Sequence, residues 1–132
     1  MRAAAAVACL DLPAMAGCGV GGGEDPEKEA RQVVRDFAQA TTESDGAELC
    51  GEIFTREFIE RTTGATGEDA VKQCERQFRA LRGMKVKIAK IEEVKVKGDT
   101  ATVVAEVETE SQTQARTFRL KREDGELRLV SG

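Results

Sequence analysis

The chain of 132 residues contains no histidine, no tyrosine and no tryptophan. Imidazole is the usual general base near neutral pH, so any acid–base chemistry falls to carboxylates or lysine. The same absence excludes histidine-based metal sites and Ser–His or Cys–His nucleophile pairs. No metal and no cofactor is implied. Surfaces for stacking bases or sugars are nearly missing, because the only aromatics are Phe37, Phe54, Phe58, Phe78 and Phe118, each where a core residue is expected. No apolar run approaches the roughly 20 residues that span a bilayer. A basic excess is also lacking: the net charge is −4, which argues against a nucleic-acid partner.

Charged residues make up 33% of the chain and apolar residues 40%, in mixed order, so the middle and end are expected to be globular. Residues 26–132 are one domain's worth, large enough for a single core but with little margin.

Residues 1–17 have the plan of a signal peptide. Arg2 supplies a positive charge, Ala3 to Leu10 form a short apolar centre, and small residues follow. Met15-Ala16-Gly17-Cys18 resembles a bacterial lipobox, with Cys18 as the lipidated mature N-terminus, although Asp11 interrupts the apolar centre. Two other readings stay open. Ala14-Met15-Ala16 is also an A-x-A site whose cleavage would release a secreted protein, and the stretch could be an unprocessed tail. Residues 18–25 are glycine-rich and make a flexible linker. The expected location is extracytoplasmic, anchored to the membrane by lipid, with simple secretion as the alternative.

With Cys9 discarded and Cys18 lipidated, Cys50 and Cys74 remain as an even pair. In an oxidising compartment they would close a loop of roughly 25 residues, a stabilisation of about 3 kcal/mol on the chain-entropy view. The alternative is two buried free thiols.

The domain begins with a helix capped by Asp25 and opened by Pro26, with Ala30, Val33, Val34, Phe37 and Ala38 on one stripe, failing near Thr41-Thr42. Ser44-Asp45-Gly46 is a turn and cap before a short helix that should carry Ala47, Cys50 and Ile53 inward. A turn at Thr55-Arg56-Glu57 and a loop from Thr62 to Gly67 lead to a third helix with Ala70, Val71, Cys74, Phe78 and Leu81 inward, ended by Gly83. The period then becomes two. Val86, Ile88, Val94 and Val96 alternate with lysines, and a phase break at Ile91-Glu92 suggests a bulge. Gly98-Asp99 turns into a strand with Ala101, Val103, Ala105 and Val107 inward. Ser111-Gln112 and Glu123-Asp124-Gly125-Glu126 separate two more strands, bearing Phe118 and Leu120, then Leu127 and Leu129. The expected class is α+β: three N-terminal helices on a curved antiparallel sheet of about four strands.

Three segments carry a likeness. Ala30-Arg31-Gln32-Val33-Val34-Arg35-Asp36-Phe37 with Ser44-Asp45-Gly46-Ala47 is similar to an opening helix and turn. Residues 94–103 and 117–129 are similar to a central and a closing hairpin. Together they resemble the nuclear transport factor 2-like superfamily, the cone-shaped fold shared with ketosteroid isomerases and SnoaL-like cyclases. The pair Cys50 and Cys74 is similar to that of small actinobacterial lipoproteins of this superfamily. Leu127 stands where Trp is common, and the central region is short. The resemblance implies a pocket between sheet and helices. Ketosteroid isomerases use a carboxylate base with a Tyr donor there, and this chain has no Tyr, so no catalytic residue is carried over.

Lys90 and Glu92 share parity with Val86, Ile88 and Val94, and without a bulge both would face the concave side as a candidate pocket pair, Glu92 as a buried base. With a bulge they turn to solvent, and this reading takes precedence because charges are seldom buried unpaired. Lys85, Lys87, Lys95 and Lys97 form a basic strand face, either for anionic envelope polymers or lipid headgroups, or simply solvated and matched by Glu106 and Glu108. Arg116, Arg119 and Arg122 are read the same way. The expected function is a membrane-tethered, non-catalytic module that binds a small apolar ligand or another envelope protein, or pairs with its own copy through the sheet face as a homodimer. The alternative is a SnoaL-like enzyme of isomerase, cyclase or hydrolase type with a carboxylate base.

Overall fold

A computed structural model describes residues 25–81 and 84–131. The leader at 1–17, the lipidation site Cys18 with its linker up to residue 24, and the helix-ending Gly83 lie outside the described residues.

Helix α1 is Pro26–Thr42, with the Asp25 carboxylate accepting from the Glu27 N–H and acids in the first turn. Ala30, Val34 and Ala38 are buried, and Val33 and Phe37 half-buried. The helix ends at Thr42, where the sequence places its break. The Thr42 hydroxyl donates to the Val86 carbonyl at 2.8 Å and accepts from its N–H at 2.9 Å, tying the end of α1 to the start of the sheet. Ser44 then adopts a left-handed φ of 56°, and the Asp45 side chain caps the short helix α2, Gly46–Glu48, which widens into a π-helical turn at Leu49–Ile53.

One expectation about this stretch is corrected. Cys50 and Ile53 are buried as expected, but Ala47 is exposed and Gly46 and Leu49 are buried instead. The π turn holds more residues than an α turn and so shifts the phase of the inward stripe. Gly46 also lies against the backbone of the helix that carries Cys74. A Cβ there would sit 3.1 Å from the Glu75 carbonyl oxygen and 3.2 Å from its Cα.

Thr55 to Glu57 is no turn. Thr55 caps a helix α3, Arg56–Thr63, its hydroxyl accepting from the Phe58 N–H at 3.1 Å. Thr62 and Thr63 are helical, and their hydroxyls return to the carbonyls of Phe58 and Ile59. Gly64, at φ 79°, ends the helix. Helix α4 is Gly67–Ala80, with Ala70 and Cys74 buried. Leu81 departs from the inward stripe and is 46% exposed, because the helix ends at Ala80 and Leu81 takes non-helical angles. Among the described residues there are thus four helical segments, one more than expected.

The sheet has strands β1 Lys87–Lys97, β2 Thr100–Glu108, β3 Thr113–Glu123 and β4 Glu126–Ser131, antiparallel neighbours in chain order. Ala101, Val103, Ala105, Val107, Phe118, Leu120, Leu127 and Leu129 fill its inner face. β1 carries two register shifts, between Ile88 and Lys90 and between Ile91 and Glu93. Each bulge bends the strand, and the pair brings Ile91 onto the core with Ile88, Val94 and Val96. Across the layers, Glu29 of α1 accepts from the Leu127 N–H at 3.0 Å and pairs with Arg122 at 3.3 Å.

Cys50 and Cys74 are joined in a disulfide with Cα atoms 6.0 Å apart, both buried. It clasps the π turn to α4 directly beside the contact between Gly46 and Glu75. Removing it as C50A/C74A should lower the unfolding free energy by about 3 kcal/mol in urea titration. Gly46→Ala should destabilise the oxidised protein by about 1–3 kcal/mol, since the backbone it meets is held by the adjacent cross-link. In the C50A/C74A background that penalty should shrink; an equal penalty would mean the clasp does not hold this contact.

Candidate functional site

Between the inner face of the sheet and the helices lies a chamber of about 260 Å³. All five phenylalanines of the chain line it, from five separate places: Phe37 on α1, Phe54 after the π turn, Phe58 on α3, Phe78 on α4 and Phe118 on β3. Val86 and Val107 complete the apolar wall, and Leu81 and Met84, the two exposed large apolar residues among those described, also border it.

Phe54 is the hub of this wall. It stacks on Phe58 at 4.9 Å and on Phe78 at 5.8 Å between ring centroids, and meets Phe37 edge-on at 6.0 Å. Phe37 in turn meets Phe118 edge-on at 5.6 Å. Such pairs add roughly 0.5–1.5 kcal/mol each beyond burial. The hub's backbone is fixed from both sides: its N–H donates to the Leu49 carbonyl, and the Thr55 N–H donates to that of Leu129 on β4. Phe54 and Phe78 each follow a disulfide cysteine by four residues, about one helical turn. The clasp therefore sets the spacing of two stacked rings in the wall.

Three polar residues line the chamber, namely Thr41, Thr109 and Arg116, and neither Asp nor Glu is among its described lining residues. Thr41 is buried and its Oγ1 has no hydrogen-bond partner. The Thr109 hydroxyl donates to the Gln112 carbonyl at 3.3 Å. Arg116 stands opposite Ala105 in the register, in phase with Phe118 and Leu120.

The candidate pair Lys90 and Glu92 is exposed. The two bulges hand the concave position to Ile91, so the pocket does not form around them. Lys85, Lys87, Lys95 and Lys97 are exposed; Lys87 stands opposite Glu108, Lys90 opposite Glu106, and Lys95 pairs with Glu93 at 3.5 Å. The three arginines read as one set divide. Arg116 and Arg119 are both exposed, but only Arg116 stands at the rim of the chamber, and Arg122 is bound to Glu29 and the Gly125 carbonyl. The parity of 116 with 118 and 120 was the signal for Arg116. The phenylalanines stand in or against the core as their positions in the sequence imply, and nothing in their spacing signals that they also border a space.

A larger cleft of about 410 Å³ is lined by Cys50, Gly51, Phe54, Arg56, Glu123, Asp124 and Arg128. It is the poorer candidate, because its charges answer one another. Glu123 accepts from the Arg56 N–H and lies 3.9 Å from Arg128, which also reaches Glu126 and the Gly51 carbonyl. No group of three metal-ligating side chains occurs among the described residues, and no described helix is long and apolar enough to cross a membrane.

No family profile and no curated relative matches the chain. Two designed proteins share part of its arrangement. A de novo designed NTF2 fold protein, NT-9, is 16% identical over 78% of this chain and 82% of its own, with a TM-score of 0.45. A de novo β-sheet design solved by solution NMR is 20% identical over 76% and 87%, with a TM-score of 0.33.

A third groove is acidic, lined by Glu29, Asp36, Glu48, Glu52 and Glu126 among others. Burial, and then the nearby charges of Asp45, Asp36, Glu52 and Glu43, hold the Glu48 carboxyl above its ordinary value. A carboxyl raised in the folded state binds its proton more tightly there than in the unfolded chain. Its contribution is present below the unfolded value of about 4.5 and is lost as pH rises through the raised one. Glu48→Gln should therefore raise the melting temperature at pH 7 and leave it nearly unchanged at pH 3.5, measured by thermal unfolding.

Proposed function

We propose that this chain is an exported module, tethered outside the cytoplasmic membrane through Cys18, whose chamber binds a small apolar ligand without transforming it. The observation that carries the reading is the chamber's make-up: every aromatic side chain of the protein borders one space, with no carboxylate among its described lining residues. Ligand sites are concave and mostly apolar, with few polar groups. At about 260 Å³ this one suits a ligand near the small end of the roughly 300–1,000 Å³ range. A carboxylate-base enzyme of SnoaL-like type has less support, since such a base must stand within hydrogen-bond reach of the substrate. Pairing of two copies through the outer sheet face has less support as well, because that face carries Thr102, Glu106, Arg119 and Lys121. The disulfide supports the extracytoplasmic part of the reading, as such cross-links persist in oxidising compartments. Membership of the small lipoprotein branch of the nuclear transport factor 2-like superfamily is part of the same proposal.

Two measurements check it. Titration of the oxidised protein with the neutral fluorophore 1-N-phenylnaphthylamine should show saturable one-to-one binding, weakened about tenfold or more by Phe58→Ala or Phe78→Ala. Absence of saturation would sink the ligand reading. Intact mass spectrometry of the protein from an exporting bacterial host should show residues 1–17 removed and lipid on Cys18. A full-length, unmodified mass would end the tethering claim.

A further inference from the structure

Polar character in the chamber is unevenly distributed, and that unevenness describes the ligand. Resting on the binding reading above, we infer that the ligand is a small single-headed anion, an apolar ring system or short chain ending in a group such as a carboxylate, with Arg116 receiving the head. Arg116 supplies the only charge among the described lining residues, and no acid lines the chamber to repel an anion. The other polar residues carry no charge. Thr109 is used in its own turn, where both its N–H and its hydroxyl donate to the Gln112 carbonyl. The Thr41 hydroxyl is buried and without a hydrogen-bond partner, so it can meet a polar atom of the ligand but does not select its charge. Arg116 has a partner within the chain, yet a guanidinium carries five N–H donors in a planar fork and can hold a carboxylate in addition. Arg116 is exposed on β3, two residues before the deeply buried Phe118 and in the same phase, which puts the charge at the open rim of the wall that the aromatic rings continue. An apolar body among the phenylalanines thus leaves an anionic head within reach of this strand. A cation would meet like charge. A polyhydroxylated ligand would leave most of its hydroxyls unpaired against phenyl rings, a cost of about 1–3 kcal/mol each.

The test uses three probes of one shape: 2-naphthylacetate, its neutral amide, and 2-(2-naphthyl)ethylamine as the cation. Naphthyl fluorescence reports binding without interference, as the chain has no Trp or Tyr. At pH 7 the anion should bind about tenfold or more tighter than the amide, and the amine weakest. Arg116→Gln should bring the anion to the amide's affinity while the amide itself stays within about twofold, which also shows that the variant is folded. Equal affinities for all three probes would overturn the anionic head and leave the apolar-ligand reading standing. An anion preference that survives in Arg116→Gln would overturn the role of Arg116. Failure of all three to bind would overturn this inference together with the binding reading beneath it.

Discussion

The disulfide between Cys50 and Cys74 is the constraint on which the rest of this small domain depends. It joins a π-helical turn, which is not a stable element in isolation, to a helix of 14 residues. From that junction three consequences run outward. The backbone of α2 comes close enough to α4 that only glycine fits at position 46 without displacing a neighbour. The chain leaves the π turn extended, so that Phe54 bridges to Leu129 and joins the helical layer to the last strand. And Phe54 stacks on Phe78, one helical turn beyond the cross-link on each side, which forms the inner wall of the chamber.

A chain with little aromatic content has placed all of it around one space. Phe54 and Phe118 are buried members of the core and Phe37, Phe58 and Phe78 pack against it, so the same rings serve the core and border the space. Histidine and tyrosine are absent from the chain, and the described lining of the chamber consists of rings, aliphatic side chains, two hydroxyls and one guanidinium.

Much of the fold was legible in the sequence, and the losses have local causes. The stripe of α1, the alternation of β2 and the turns at Gly98 and Gly125 follow from side-chain period and from backbone angles that favour glycine. Helix α3 was missed because threonines at 55, 62 and 63 look like loop residues. Their hydroxyls in fact cap one end of the helix and return to carbonyls at the other, and only the three-dimensional structure reveals that pairing. Ala47 departs from the α-helical count because the π turn at Leu49–Ile53 takes more residues per turn, so the inward position before Cys50 falls on Gly46. The site was less legible than the fold. The break in phase at Ile91 was visible, but two bulges were needed to carry both Lys90 and Glu92 to solvent. Arg116 could have been set apart from Arg119 by its parity with Phe118. Whether buried rings touch across a filled core or surround a space is a matter of tertiary distance, which no spacing in the chain records.

The account turns on the claim that the clasp positions the aromatic wall. The most direct measurement is the affinity of a neutral naphthyl probe for the disulfide-bonded protein and for C50A/C74A, at a temperature where circular dichroism shows both folded. If the cross-link holds Phe54 against Phe78, its loss should weaken binding by about tenfold or more, because the wall must then be ordered at the expense of the ligand's binding energy. Equal affinity in the two proteins would contradict the account, since the chamber would then keep its shape without the bond said to define it.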